Sequence, residues 1–273
     1  MLNLSTQRAI STWSIHRLLG QFAAPGSAID GGSFIPHQEM GNRRTLIDLI
    51  PEIAEHGYHV LQICHFHLES SDPAYLGRLR TTLTAYDVSF DMLLIDEGDL
   101  TDPDFERQMA WYDDWLNVAA MLGAKRARIG AGKQSPTPKR LRASGERLGI
   151  LADGHPDVRI VTENWLGATP DAESLLDVLE AAGESVGLLI DLGNWTGPDK
   201  YTNLAKIAGR AEACHAKCHF TDDGPDEADF CTALALLKDV DFNGPIALIY
   251  DGPDPDEWVG LELEWKIVES VWS

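Results

Sequence analysis

The amino-acid sequence predicts an α/β protein of the (β/α)8 barrel (TIM barrel) class, formed as a single domain over residues 1–273. Three observations carry this. Short apolar runs alternate with longer polar or amphipathic stretches along the whole chain, the pattern of a parallel sheet with crossover helices. The runs are rich in Val, Ile and Leu, as strands buried on both faces are. No Ser- or Pro-rich linker and no charge block divides the chain, and eight such units in 273 residues suit a closed barrel better than an open sheet.

The first strand is read at AISTWSIH (9–16), and the glycine-rich PGSAIDGGS (25–33) as a loop. In TLIDLIPEIAEHG (45–57), Leu46, Leu49, Ile50, Ile53 and Ala54 share one helical face and Gly57 ends the helix. HVLQICHF (59–66) and SFDMLLID (89–96) are the second and third strands. FERQMAWYDDWLNVAAMLG (105–123) has apolar residues at helical spacing and also ends in glycine. KRARIGAG (125–132) and VRIVTEN (158–164) are the fourth and fifth strands. AESLLDVLEAAG (172–183) is a helix and VGLLIDLG (186–193) the sixth strand. The shorter helix TNLAKIAGR (202–210) leads to AEACHAKC (211–218), and PIALIYD (245–251) is the eighth strand. DEWVGLELEWKIVESVW (256–272) is a closing helix. No Gly-x-Gly-x-x-Gly follows the first strand, which argues against a dinucleotide site and an NAD-linked activity.

Charge narrows the partners. The chain carries 43 acids against 22 bases, a net charge of −21. Such a surface repels phosphate backbones and anionic bilayers, so neither nucleic acid nor a membrane is an expected partner. No apolar run reaches the ~18 residues of a membrane span, and MLNLSTQRAISTWSIHRLL lacks the apolar core of a signal peptide. The four cysteines, 64, 214, 218 and 231, then read as reduced thiols in a cytoplasmic protein. A homo-oligomer is compatible with all of this.

In barrels of this kind the active site is built at the C-terminal ends of the strands. The fifth strand ends in Thr162-Glu163-Asn164-Trp165, the sixth in Asp191-Leu192-Gly193-Asn194-Trp195, and the eighth in Tyr250-Asp251-Gly252, while the seventh carries His215. Four successive units thus send Glu163, Asp191, His215 and Asp251 to one rim. Three carboxylates and an imidazole meeting there need a cation, and an oxygen-rich site with one nitrogen suits one divalent ion, Mn, Mg, Co or Zn. Taken singly, each acid is also a plausible turn former or helix cap.

ACHAKCHF (213–220) resembles a haem attachment site or a zinc knuckle, but parity opposes both. Side chains alternate faces along a strand. Cys214, Ala216 and Cys218 therefore share the face packed against helices, and His215, Lys217 and His219 share the other, with His219 placed in the strand or in the following loop.

Glu-Asn-Trp after the fifth strand, Asp-x-Gly-Asn after the sixth, His-x-Lys on the seventh and an acid ending the eighth together resemble the xylose isomerase-like TIM barrels. This is the sugar phosphate isomerase/epimerase group, which also contains the apurinic endonucleases. STWSIHR, HFHLESSDPAYLGRLR and LLIDEGDL look like a bacterial branch of it. The resemblance implies a metal held by Glu163, Asp191, His215 and Asp251. Three positions depart from the epimerase pattern. Asp251 stands where glutamate is usual, Gln62 where a second catalytic glutamate often lies, and Asn194 where histidine is common.

The implied activity is a metal-dependent isomerisation or epimerisation of a small sugar or sugar-like polyhydroxy substrate. Proton abstraction would give an ene-diolate stabilised by the metal. Glu163 and Asp251 would serve as base and acid on opposite faces of the substrate. Lys217 would steady the enolate oxygen or bind an anionic group, or else pair with a neighbouring barrel acid. His65, His67, Arg128, Trp165 and Asn194 are candidates to line the substrate pocket. Packing in the wall explains the histidines, arginine and tryptophan equally well. A dehydratase of a keto-cyclitol or shikimate-type acid, using the same first step, is an alternative, as is a sugar-binding barrel without turnover.

Overall fold

The structure, a computed structural model, describes residues 8–22, 38–39 and 44–273. The loop read at 25–33 lies outside them. Eight parallel strands close into a barrel: β1 (Arg8–Ser11), β2 (Val60–Cys64), β3 (Ser89–Ile95), β4 (Arg126–Ile129), β5 (Arg159–Glu163), β6 (Val186–Asp191), β7 (Ala211–Lys217) and β8 (Ile246–Ile249). Each strand pairs with its neighbours in sequence, and β1 pairs with both β2 and β8, which closes the ring.

The first strand is shorter than expected. It stops at Ser11, whose hydroxyl accepts from the Trp13 amide, and Thr12–Ile15 turn into a 3-10 helix. Hydroxyl side chains that bond their own backbone compete with a strand ladder in this way.

Among the described residues, eight α-helices surround the barrel: α1 (Leu46–Glu55), α2 (Pro73–Ala85), α3 (Phe105–Leu122), α4 (Pro138–Gly154), α5 (Ala172–Ala182), α6 (Lys200–Ala208), α7 (Glu227–Asp239) and α8 (Glu257–Trp272). Five match stretches read from the sequence; α2, α4 and α7 do not. In α2, Gly77 and three threonines dilute the apolar stripe, leaving Tyr75, Leu76, Leu79 and Leu83 to bury it. Two internal glycines and four basic residues obscure α4 in the same way.

Parity holds along the strands. Cys64, Met92, Leu94, Val161, Leu189 and Ala213 form the barrel interior, and Cys214, Ala216 and Cys218 join the larger core under the helices. All four cysteines are free thiols. The ring is interrupted by two bulges. One leaves Asp91 as an extra residue opposite Leu61 and Gln62, and the other does the same with Glu212. Asp91 pairs with Arg126 and Glu212 with Arg159, so each inserted acid meets the first residue of β4 or β5.

Helix α8 buries an unpaired acid. Glu264 is fully inaccessible, and neither carboxylate oxygen has a hydrogen-bond partner among the described residues. Burial, helped by the nearby charge of Asp251, pushes its carboxyl well above the ordinary 4.5. The folded protein therefore keeps a proton that the unfolded chain has lost, and stability is expected to fall as pH rises above that ordinary value. Glu264→Gln, which imitates the protonated acid, is expected to flatten this slope in urea melts run across a pH series. An unchanged slope would exclude the assignment.

Candidate metal centre

Glu163 is the last residue of β5, Asp191 the last of β6, and His215 lies two residues before the C-terminus of β7. One donor atom from each lies within 4.8 Å of the others, and all three residues are buried. His215 Nδ1 is 3.2 Å from Glu163 Oε1 and 3.8 Å from Asp191 Oδ2.

The local sequence sets these positions. In Asp191-Leu192-Gly193-Asn194, the amides of Gly193 and Asn194 both donate to Asp191 Oδ1 at 2.7 Å. That ties the carboxylate to its own turn and leaves Oδ2 facing His215. Gly193 is required there, because a Cβ would sit 2.8 Å from Lys217 Cγ. Asn164 staples β5 to β6 by donating to the Asp191 carbonyl (2.9 Å) and accepting from its amide (2.7 Å). The Asn194 side chain donates to Glu163 Oε1 at 3.1 Å.

Arg128 forms the other wall. Its Nη2 donates to Asp96 Oδ1 (2.6 Å), its Nε lies 3.0 Å from Glu163 Oε2, and the guanidinium sits 4.6 Å from the Trp165 ring centroid. The Nε–H is not aimed at Oε2, so both atoms are left without a hydrogen bond. Burial works to raise the Glu163 carboxyl, but Arg128 and then His215 outweigh it and hold it low. Asp96 is drawn down to about 2 against its burial, by Arg128 and His65. Asp191 has no such cation in contact. Burial, then the charge of Glu163, lifts it to about 6.

Asp251 does not join the cluster. Its Oδ2 lies 2.8 Å from Lys217 Nζ, its Oδ1 accepts from Trp13 Nε1 at 2.5 Å, and its side chain is 34% exposed at the mouth. Of the four residues expected to share a metal, three cluster in this structure, and the fourth acid is paired with a lysine. Lys217 thus makes the ion pair to a barrel acid that was one of its two readings.

The remaining candidates divide. Asn194 touches Glu163, and Trp165 covers Arg128. Arg128 spends its guanidinium on two acids. His65 is boxed by Trp111, Trp115 and Phe66, and its Nδ1 accepts the Asp96 amide at 3.2 Å. His67 Nδ1 is bonded to Thr12 Oγ1 at 2.8 Å. Both histidines thus take the wall role. Trp195 packs into the outer core and donates to the Thr169 carbonyl.

Asp96 has no place among the site candidates read from the sequence, and Gln62 enters there only as a departure from the epimerase pattern. Asp96 is the main counter-ion of Arg128, and opposite charges near the ends of adjacent strands β3 and β4 were a usable signal. Gln62 Oε1 lies 2.8 Å from His215 Nε2.

This donor set fits a divalent cation. Two carboxylate oxygens and a ring nitrogen converge, two of the acids repel each other, and Asp191 Oδ2 is aimed into the cluster. Glu163 Oε1, Asp191 Oδ2 and His215 Nδ1 are the atoms that would hold it.

A closed (β/α)8 barrel with an acid–acid–imidazole cluster on successive strands near its C-terminal rim defines the class of this protein. The chain belongs to the xylose isomerase-like TIM barrel family, whose model matches residues 50–266. No curated protein sequence matches it. Among solved structures it is similar to D-allulose 3-epimerase from Methylomonas sp., solved with D-allulose. Identity is 15%, the TM-score is 0.68, and 97% of this chain and 96% of that one are covered. It is also similar to D-psicose 3-epimerase from Clostridium cellulolyticum H10, solved with D-tagatose, at 14% identity and TM-score 0.60, covering 84% and 92%. A probable 3-DHS dehydratase involved in petrobactin synthesis from Bacillus anthracis aligns at 12% identity and TM-score 0.66, covering 96% and 98%. At these identities the likeness is one of fold. No helix of the described residues is long and apolar enough to cross a membrane.

Proposed function

We propose that this protein is a metal-dependent isomerase or epimerase of a small, uncharged, sugar-like polyhydroxy substrate. The observation that carries the reading is the Glu163–Asp191–His215 cluster at the catalytic rim of the barrel. Relatives of the same fold solved with D-allulose and D-tagatose support a carbohydrate-like substrate. Charge favours an uncharged one. Arg128 is already neutralised by Asp96 and Glu163, and Lys217 by Asp251. A phosphorylated substrate would have to displace one of these pairs.

A divalent ion held by Glu163, Asp191 and His215 would supply Lewis acidity for deprotonation next to a substrate carbonyl. Arg128 keeps Glu163 ionised, and Lys217 does the same for Asp251. Burial opposes ionisation at Asp251, but the lysine beside it holds its carboxyl low. Trp13 fixes one oxygen of Asp251, leaving the Lys217-bound oxygen to exchange a proton at the mouth. Glu163 and Asp251 lie on strand ends separated by β6 and β7, and serve as the pair of proton carriers. The aromatic face of Trp165 shields the Arg128–Glu163 pair from water.

Protein purified without chelator is expected to hold close to one divalent ion per chain. Adding that ion at a hundred times its Kd is expected to stabilise the metal-free form by about 2.7 kcal/mol. Elemental analysis and thermal melts with and without chelator check both. A metal content at background, together with a Tm that none of Mn, Mg, Co or Zn raises, would overturn the reading.

A further inference from the structure

The ring of His215 is held by a buried chain of polar groups that ends at the floor of the barrel. His215 Nε2 lies 2.8 Å from Gln62 Oε1, and Gln62 Nε2 donates to Asp91 Oδ2 at 3.2 Å. The other oxygen of Asp91 is ion-paired with Arg126. Gln62 is fully buried, and Asp91 and His215 are 2% and 3% exposed. The backbone supports this placement. The bulge opposite Leu61 and Gln62 inserts Asp91 as the unpaired extra residue of β3, and bulges re-aim side chains next to functional sites.

The chemistry of the chain has one direction. An ionised carboxylate only accepts hydrogen bonds, so the amide end of Gln62 that faces Asp91 is its NH2 group. The end that faces His215 is then the carbonyl oxygen, which needs a ring N–H. We infer that Arg126, Asp91 and Gln62 are positioning residues that keep a proton on His215 Nε2 and so leave Nδ1, which meets Glu163 Oε1 at 3.2 Å, as the ring nitrogen that would bind an ion. Gln62 thus has a role at the position where the epimerase pattern places a second catalytic acid. It touches no substrate and acts through His215. The inference rests on the proposed metal function for its consequence, but the orientation of the chain is a property of the protein alone.

Two measurements test it, using the whole protein. The first is the protonation pattern of the His215 ring, read by long-range 1H–15N NMR of histidine-labelled protein, with and without Zn. Nε2 is expected to carry its proton in both states. A bare Nε2 in either state would overturn the inference, even if no metal binds. The second is the Zn dissociation constant by calorimetry. Gln62→Leu is expected to weaken binding by roughly 10–100-fold, the usual cost of losing the group that orients a metal-binding histidine. Asp91→Asn keeps the shape and a bond to Arg126 but lets the Gln62 amide turn over. It is expected to weaken binding less, in the same direction, with part of the His215 population lacking the Nε2 proton in the Zn-free protein. Gln62→Glu restores an acceptor to Nε2–H and is expected to recover affinity relative to the leucine variant. Zn binding unchanged in folded Gln62→Leu and in Asp91→Asn would remove the positioning role and leave the metal centre standing. Failure of the unmodified protein to bind Zn, Mn, Co or Mg would instead strike the metal reading, and the NMR pattern would still decide the orientation.

Discussion

Arg128→Met is expected to destabilise the metal-free protein by about 3–5 kcal/mol, the range for removing one partner of a buried ion pair. The residue is 3% exposed and, among the described residues, is the one arginine or lysine in contact with both Asp96 and Glu163. Methionine fills much of the same volume, so the loss is one of charge more than packing. Asp96, Glu163 and Asp191 would then share a buried site with histidines and the charge of Lys217 for relief. Three carboxylates in low dielectric cannot all stay ionised, so protons must enter. The sign of the pH effect follows. In the parent, Asp96 titrates at about 2 instead of 3.8, which contributes stability above 3.8 that is lost as pH falls through 2. Without Arg128, burial is left to raise the same carboxyl, and the variant should gain stability relative to the parent as the solution is acidified. A divalent ion should offset part of the loss, so the metal-induced rise in Tm should be larger in the variant. For a chain of this size the loss corresponds to a Tm roughly 6–20 °C lower. Chelator-treated melts at several pH values are the check. A Tm equal to that of the parent at neutral pH would show that the acids are held by something other than this guanidinium.

The barrel was legible because its evidence is local and repeated. Apolar runs and strand-end acids recur unit after unit, and alternation along 211–218 separated His215 and Lys217 from Cys214, Ala216 and Cys218, the small core residues that alternate with them. Helices α2, α4 and α7 were not legible. Their apolar stripes are narrow, and they are helical because the barrel offers a surface to cover, not because their own sequence insists on it. The site was half legible. Glu163 and Asp191 end β5 and β6, His215 lies near the end of β7, and the three converge as parity requires. Asp251 follows β8 by two residues and is drawn aside by Lys217 and Trp13, the latter from the other end of the chain, a competition that spacing along one strand does not reveal. Gln62 and Asp91 were hidden for another reason. The bulge in β3 shifts the parity of one residue, and no period-2 reading of SFDMLLID predicts which one.

Glu163→Gln and Asp251→Asn are expected to separate metal binding from proton transfer. Both variants keep the shape of the side chain and remove its charge. Glu163→Gln leaves Asn194 and Arg128 with an oxygen to contact, and Arg128 retains Asp96, so the fold should survive. It removes one of two anionic donors in the cluster, so metal affinity and substrate α-proton exchange should fall together. Asp251→Asn leaves all three clustered donors intact. Metal affinity should stay near that of the parent, while exchange of the substrate α-proton with deuterated water falls by about 10²–10⁴-fold, the usual contribution of a positioned general acid or base. Lys217 loses its partner in that variant. Because the pair is a quarter to a third exposed, water should compensate most of the difference in stability. The measurements are metal titration by calorimetry and exchange of ketohexose α-protons followed by NMR. If Asp251→Asn weakens the metal as strongly as Glu163→Gln does, Asp251 abandons Lys217 when the ion is bound and becomes its fourth ligand. Exchange that continues undiminished in Asp251→Asn would leave Glu163 as the only proton carrier of the pair. A reaction confined to one face of the substrate would then favour simple isomerisation over inversion at carbon.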